Sequence, residues 1–514
     1  MFAILLAIRV PSVVEPAGGD QGLYGYSGQR ILAGAVPYRD IWDQKPPGIA
    51  FVYAALWRIW PHESVVAIAD LAVAATTAWL IVVIGRRRFS DAVGYGAAGL
   101  FLLFGDPSLQ RMSGVYARGQ CEPFMALAVT LALVLLAGPL RRRWHLVLAG
   151  VCLAAACWLK YNAAAYLLPV ALAAWVWRRD DVRVYRAAPV DLAWVGLGFA
   201  LVTTGVLIYF GANGALHDLR LATIDYNLRY SGETYPSLWS VPRYLATFPI
   251  ERARVDMLWF LGGIGALSLV WWARSNRSTL VVIGWLIAAL VSIAVNGSRS
   301  LPHYFVQAGP ALALAAVAGI GAMLAAGGWR RYTVALLILV GLWRVGDDAP
   351  VAGVRLGGLP GLAKNVRFDL SYALGHVDRV TYLSRFKGEQ KFDALEIDDL
   401  SRFVRETTKP TDPIFVFGFA GGSVCWKSER TNATRFFWSW PVILEFAADE
   451  PGYGSAGMLA DLKRLAPVQV ALQKEQQWQS QRFFMNNGPL RDWLLAGYVL
   501  DHETPMFAVW RRKP

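Results

Sequence analysis

Residues Ser64–Gly85 read SVVAIADLAVAATTAWLIVVIG and are followed at once by Arg86-Arg87-Arg88. The run holds one ionisable group, Asp70. A helix needs about 20 mostly apolar residues to cross the hydrocarbon core of a bilayer, and short basic clusters mark its cytoplasmic ends. Similar runs recur at Glu122–Leu140, Val190–Gly211, Asp256–Ala273, Thr279–Asn296 and Tyr304–Ala326. They are continuous rather than alternating, which argues for helices and against a transmembrane barrel. The expected fold is a polytopic α-helical membrane protein of about 11 spans ending near Val345, with a soluble region after it.

Composition agrees. Of 514 residues 55% are hydrophobic, and the mean hydropathy of +0.37 is too high for an ordinary soluble protein. The net charge is +13: there are 29 Lys+Arg against 19 Asp+Glu up to Ala349, and 21 against 18 from Pro350 onward. The basic excess therefore belongs to the membrane part, which favours a topological role over binding of nucleic acid. The four cysteines, Cys121, Cys152, Cys157 and Cys425, form no CxxC zinc signature or disulfide framework and read as small buried apolar residues.

Orientation follows from basic clusters in short loops. Arg86-Arg87-Arg88, Arg141-Arg142-Arg143, Arg178-Arg179 with Arg183 and Arg186, Arg274 with Arg277, and Arg330-Arg331 fall on one side. This predicts a cytoplasmic N-terminus in a plasma (inner) membrane, with Asp20, Lys45 and the C-terminal region outside the cytoplasm. The first apolar segment, Met1–Ile8 before Arg9 and Pro11, is too short to span, and the expectation is an incomplete N-terminus. Gly18–Pro61 reads as a long polar external loop. Ala212–Val255 is a second, with an amphipathic stretch at Leu216–Leu228 and interface-type aromatics at Tyr230, Tyr235 and Trp239.

The division is thus residues 1–349, transmembrane, and residues 350–514, an extracytoplasmic α/β domain. In the latter, Pro413–Gly418, Pro467–Leu472 and Phe507–Trp510 read as strands, and Leu395–Glu406, Met458–Leu465 and Pro489–Ala496 as helices. Gly421-Gly422-Ser423 lacks phosphate-loop spacing and reads as a plain turn. Asn432-Ala433-Thr434 matches a glycosylation sequon, taken as chance. No HExxH, Walker loop or serine elbow is present.

Charged groups beside spanning helices are costly and mark candidate sites. Asp20, flanked by Gly18, Gly19 and Gly22, has a residue type suited to removing a hydroxyl proton; the bland alternative is a loop carboxylate. Lys45, restrained by Pro46-Pro47, suits a phosphate. Arg39, Arg299 and His303 are further external cations, which could equally meet lipid headgroups. Glu122 and Lys160 stand at external ends of spans, either as helix terminators or as a substrate-positioning pair. Asp40 and Asp43 leave a divalent metal open, although two acids three residues apart are a weak signal.

These residues carry a resemblance. Arg9-Val10-Pro11, Gly19-Asp20-Gln21-Gly22-Leu23-Tyr24, Val36-Pro37-Tyr38-Arg39-Asp40 and Lys45-Pro46-Pro47-Gly48 are similar to motifs of GT-C-type, polyprenyl-phosphate-dependent glycosyltransferases. The likeness is to the bacterial branch related to protein O-mannosyltransferases and the lipid A aminoarabinose transferase. Glu122-Pro123-Phe124, Leu159-Lys160 and His303-Tyr304-Phe305 support it, and it covers roughly Arg9 to Ala326. It implies that Asp20 is the catalytic acidic residue of the first external loop and that the donor is a sugar on a polyprenyl phosphate. The acceptor is then a lipid, glycan or protein hydroxyl, and the setting a bacterial cell envelope. The family pattern has Asp-Glu at this place; here Gln21 replaces the Glu, which removes a paired carboxylate and leaves Asp20 as the base. Two other classes stay open: a transporter or flippase of lipid-linked sugars, against which no internal repeat is seen, and a non-catalytic envelope scaffold.

Overall fold

The computed structural model describes residues 2–109, 114–138, 142–177, 184–232, 234–272, 276–346, 358–388 and 392–514. Arg141, Arg178, Arg179, Arg183, Arg274, the span ends Leu140 and Ala273, and the expected boundary at Ala349–Pro350 lie outside the described residues, as does the side chain of Arg186. The structure is mainly helical with one small sheet. Among the described residues four helices are long and apolar enough to cross a membrane: Ser64–Arg88, Ala188–Ala212, Ser278–Val295 and Pro302–Ala326. Shorter apolar helices accompany them, among them Asp91–Phe104, Cys121–Leu136, Arg143–Leu159, Tyr161–Val176 and Met257–Trp272. The chain divides into two compact units.

The first unit is Met1–Val13, Ala67–Ile208 and Arg229–Leu370. Met257–Trp272 and Gly309–Ala326 pack closely along much of their length. Small residues permit this: a Cβ on Gly265 would lie 2.1 Å from the Ala315 carbonyl oxygen, and one on Gly319 would lie 2.2 Å from that of Gly265. Buried ion pairs are folded into the same unit. Arg9 lies 3.6 Å from Asp106 and donates to the Leu102 carbonyl. Arg252 meets Asp256 at 2.9 Å. Asp70 accepts from the Gly119 N–H at 3.0 Å. With Thr77 these groups line a small internal cavity of about 60 Å³, whose remaining wall is apolar.

The second unit is Val14–Val66, Tyr209–Leu228 and Ser371–Pro514. Its sheet has the order β1-β2-β4-β3, with β1 Ile414–Phe417, β2 Gln469–Gln473, β3 Tyr498–Glu503 and β4 Phe507–Arg512. β1 and β2 are parallel, and β2–β4 and β4–β3 are antiparallel. β1 and β2 are buried along their whole length, as their continuous apolar runs imply. β3 was not expected: its apolar part is only Tyr498-Val499-Leu500 before the polar Asp501-His502-Glu503, too short and without alternation to read as a strand, and apart from Tyr498 it is exposed.

Two further expectations are corrected. Gly18–Pro61 is not an open loop but holds the helices Gly19–Leu32 and Gly48–Ile59. Gly421-Gly422-Ser423 is not a turn but the start of the helix Gly421–Ser428. The reason is the same in both cases. Glycines at positions 22, 25 and 28 form one flat face, and a Cβ there would fall 1.9 Å from Ser423 Oγ, 2.3 Å from the Trp426 ring and 2.6 Å from the Ala54 nitrogen. Glycine disfavours an isolated helix, but tight packing against Gly421–Ser428 and Gly48–Ile59 outweighs that cost. Gly28→Ala should therefore lower unfolding stability by about 1–3 kcal/mol, read as a fall in the thermal midpoint of the lipid-embedded protein.

Candidate active site

Asp20 stands in the first turn of the Gly19–Leu32 helix, where a carboxylate is favoured by the helix dipole. Gly18 is extended before the helix, and Gln21 Oε1 turns back to accept its N–H at 2.7 Å. Gln21 thus secures the helix start, a role that an amide fills as well as a glutamate. Lys45 Nζ reaches Asp20 Oδ2 at 3.0 Å, and Tyr24 Oη donates to the same oxygen at 3.4 Å. Lys45 also lies over the Tyr24 ring, 4.8 Å from its centre. Asp20 and Lys45 remain 23% and 12% exposed, so both can be reached by a ligand. Tyr24 was not singled out from sequence, although its spacing of four from Asp20 puts both on one helix face.

The loop before Lys45 is held rigidly. Tyr38 is buried with φ 69°, a left-handed backbone rare for a bulky residue. Its N–H donates to the Ile41 carbonyl at 2.7 Å and its hydroxyl to the Lys45 carbonyl at 2.7 Å. Asn227 donates to the Gln44 carbonyl at 2.6 Å, and the backbone N–H of the fully buried Trp42 donates to the Arg435 carbonyl at 2.9 Å. Pro47 then caps the Gly48–Ile59 helix. Lys45 is therefore presented from a fixed backbone.

Asp40 is committed elsewhere: it takes two hydrogen bonds from Arg39 at 2.9 Å and one from the Val36 N–H at 2.8 Å. Partial burial works against its charge, but these bonds prevail and hold its pKa below the usual value. Arg39 also donates to the Asn213 carbonyl at 2.9 Å. Asp43 is buried and accepts the Gln44 N–H at 2.7 Å. Burial pushes its carboxyl above the usual range, with Lys45 opposing and Asp20 adding to the rise. Asp40 and Asp43 are thus engaged separately, and among the described residues no group of three or more His, Cys, Asp or Glu is arranged to hold a metal ion.

The raised carboxyl has a measurable consequence. A native acid with an elevated pKa favours folding below its unfolded value, and that contribution is lost as pH rises through the native one. Asp43→Asn should remove this term. Its stability relative to wild type is then expected to improve as pH rises from about 4 toward neutrality, and the checking measurement is thermal melting across that range.

Glu122 and Lys160 belong to the first unit and meet there at 2.5 Å. Glu122 opens the Cys121–Leu136 helix and is fully buried; Lys160 sits in extended backbone between Arg143–Leu159 and Tyr161–Tyr166. Lys160 Nζ is also 4.4 Å from the centre of the Tyr304 ring. His303 is buried beside Tyr304, with ring centres 4.7 Å apart and planes nearly perpendicular. The structure therefore gathers Glu122, Lys160 and the His303–Tyr304 pair around one buried ion pair. Arg299 stands apart, stacked on Tyr230 at 3.5 Å and donating Nη2 to its carbonyl at 3.1 Å. Its Nη1 is buried without a hydrogen-bond partner among the described residues, a donor position fit for an anion. The buried pair Arg9–Asp106 and the part-buried pair Arg252–Asp256 were missed as pairs, because the first two residues are 97 positions apart in the chain and the second pair reads as an ordinary helix end.

The whole chain shares its fold with ArnT from Cupriavidus metallidurans. The match to its crystal structure bound to undecaprenyl phosphate has a TM-score of 0.63 at 14% identity, covering 99% of this chain and 96% of that one. The match to its apo state has a TM-score of 0.58 at 16% identity with the same coverage. No family model matches the sequence, and no curated protein sequence matches it.

Proposed function

We propose that the chain is an integral-membrane glycosyltransferase that moves a sugar from a polyprenyl-phosphate donor to an acceptor hydroxyl. The observation that carries this is the Asp20–Lys45 contact at 3.0 Å, an acid and a cation on two restrained elements and both open to a ligand. The shared fold with ArnT, which binds undecaprenyl phosphate, supports a polyprenyl-phosphate donor. About eleven spans, an N-terminus in the cytoplasm of a plasma membrane, a transmembrane part over residues 1–349 and an extracytoplasmic part over residues 350–514 complete the reading.

In this mechanism the acceptor hydroxyl attacks the anomeric carbon as the bond to the lipid phosphate breaks. Asp20 takes the hydroxyl proton. Its ionised form is stabilised by Lys45 and the Tyr24 hydroxyl in the resting state. When the donor enters, its phosphate competes for Lys45, and the ammonium shifts from one anion to the other. That exchange releases Asp20 as a base and puts the cation where negative charge develops on the leaving group. Arg299, in the first unit, keeps a guanidinium nitrogen without a hydrogen-bond partner among the described residues and is a candidate there for binding an anion. Glu122, Lys160 and His303 act as a buried framework in the first unit, and Arg39 and Asp40 brace the loop that presents Lys45.

The test is reconstitution in lipid with a panel of polyprenyl-phosphate sugars and hydroxyl acceptors. Release of free polyprenyl phosphate that depends on the acceptor supports the reading. Transbilayer movement of the lipid-linked sugar without any transfer would replace it with transport.

A further inference from the structure

The backbone that leads to Asp20 is conformationally free by sequence, because Gly18 and Gly19 stand directly before it. The structure holds it with two side chains. Gln21 Oε1 accepts the Gly18 N–H at 2.7 Å, and Glu63 Oε2 accepts the Ala17 N–H at 3.2 Å. Ala17, Gly18 and Gly19 are all buried. Gln21 belongs to the helix Gly19–Leu32 and moves with it. Glu63 lies beyond the end of Gly48–Ile59, so it ties the entry of the Asp20 helix to a separate part of the chain.

Glu63 is fixed in turn by Lys427. The Lys427 ammonium meets Glu63 Oε2, the oxygen that takes the Ala17 N–H, at 2.6 Å, and Asp398 Oδ1 at 3.5 Å. Asp398 belongs to the helix Ala394–Thr407 and accepts from Arg379 Nε at 2.9 Å. The Lys427 side chain is 10% exposed and that of Glu63 28%. Burial works against the ammonium, but Glu63 and Asp398 prevail and hold its pKa above the usual value. Lys427 sits in the last turn of Gly421–Ser428, the helix whose Ser423 and Trp426 cover Gly22 and Gly25. Trp426 also meets Tyr53 and Trp57 of Gly48–Ile59, with ring centres 6.5 and 5.3 Å away. All of these residues belong to the second unit.

We infer that Lys427 is a positioning residue for Asp20: by holding Glu63 on the Ala17 N–H, it fixes the glycine-rich entry to the helix that carries the proposed base. A proton acceptor works only within hydrogen-bond reach of its hydroxyl, and a misplacement of about 1 Å can cost two orders of magnitude in rate. Glu63 is open enough to water that its carboxylate needs a partner to stay on Ala17; the ammonium of Lys427 is that partner. The loop that presents Lys45 has its own anchors in Tyr38 and Asn227, so loss of Lys427 displaces the base and spares the phosphate-binding cation. The catalytic consequence rests on the glycosyl-transfer reading; the anchoring of Ala17 does not.

The experiment uses the full chain in lipid nanodiscs, well below the thermal midpoint of each variant. Two readouts are taken: transfer kinetics with a polyprenyl-phosphate sugar, and hydrogen–deuterium exchange of the segment Glu15–Tyr24, with Gly48–Ile59 as the internal reference. Lys427→Met keeps the packing of the side-chain stem and removes the charge. It is expected to lower kcat roughly tenfold with the donor KM within about threefold of wild type, and to speed exchange of Glu15–Tyr24 about tenfold without changing Gly48–Ile59. Glu63→Leu, which offers Ala17 no oxygen, should do the same. Lys427→Met combined with Glu63→Gln should recover most of both, because a neutral amide needs no cation and still accepts the Ala17 N–H. A merely structural ion pair would give exchange that rises equally in both segments, or a double variant without recovery, and either result overturns the inference. So do wild-type kcat and exchange in Lys427→Met. In a protein that transfers no sugar, faster exchange of Glu15–Tyr24 in Lys427→Met, reversed in the double variant, leaves the anchor standing and removes only its link to a base; unchanged exchange overturns both.

Discussion

Asp20→Asn is expected to lower sugar transfer roughly 10²–10⁴-fold with little change in donor affinity, because it removes the proton acceptor and nothing that holds the lipid phosphate. Asparagine has nearly the same shape and can keep the Tyr24 contact, so the helix Gly19–Leu32 and its glycine-lined packing stay in place. Lys45 loses its resting partner and becomes more available to a phosphate. The signature is therefore a fall in kcat with an unchanged or lower KM for the donor, measured with purified protein in lipid and a polyprenyl-phosphate sugar. Transfer within about threefold of wild type would remove Asp20 from the chemistry and favour transport or scaffolding.

Lys160→Met is expected to cost about 3–5 kcal/mol of stability, the largest structural effect of any change at the candidate residues. Glu122 is fully buried, and its only hydrogen bond among the described contacts is with Lys160 at 2.5 Å. Removing the cation leaves a carboxylate in an apolar setting. The helix dipole at the start of Cys121–Leu136 relieves only part of that penalty. The double variant Lys160→Met with Glu122→Gln should recover most of the loss, since the pair is then replaced by neutral groups of similar volume. Thermal melting of the four proteins of this cycle checks it; a double variant no more stable than Lys160→Met would show that the ion pair is not the source. The cycle also separates framework from catalysis, because restored stability with low transfer would assign Lys160 a direct part in the reaction.

Long apolar helices were read within a few residues from hydropathy. Ser64–Gly85 became Ser64–Arg88 and Thr279–Asn296 became Ser278–Val295. Burial of an apolar run in hydrocarbon or protein depends on composition alone, so no knowledge of neighbours was needed. β1, β2 and β4 were legible for the same reason, while the exposed edge β3 was not. The Gly19–Leu32 helix was hidden because its glycines imitate a loop; their purpose appears only once Ser423 and Trp426 arrive from four hundred residues away.

At the candidate site the division is similar. Residue type and local spacing determined that Asp20, Lys45, Glu122 and Lys160 were the charges worth attention, because a charge beside a spanning helix is expensive and must be compensated. Which charge compensates which was decided by tertiary structure alone: Asp20 with Lys45, Glu122 with Lys160, and Asp40 with its own neighbour Arg39 rather than with Asp43. Electrostatic partnership depends on distances of a few ångströms through space, and a linear order of residues fixes composition and periodicity but not those distances.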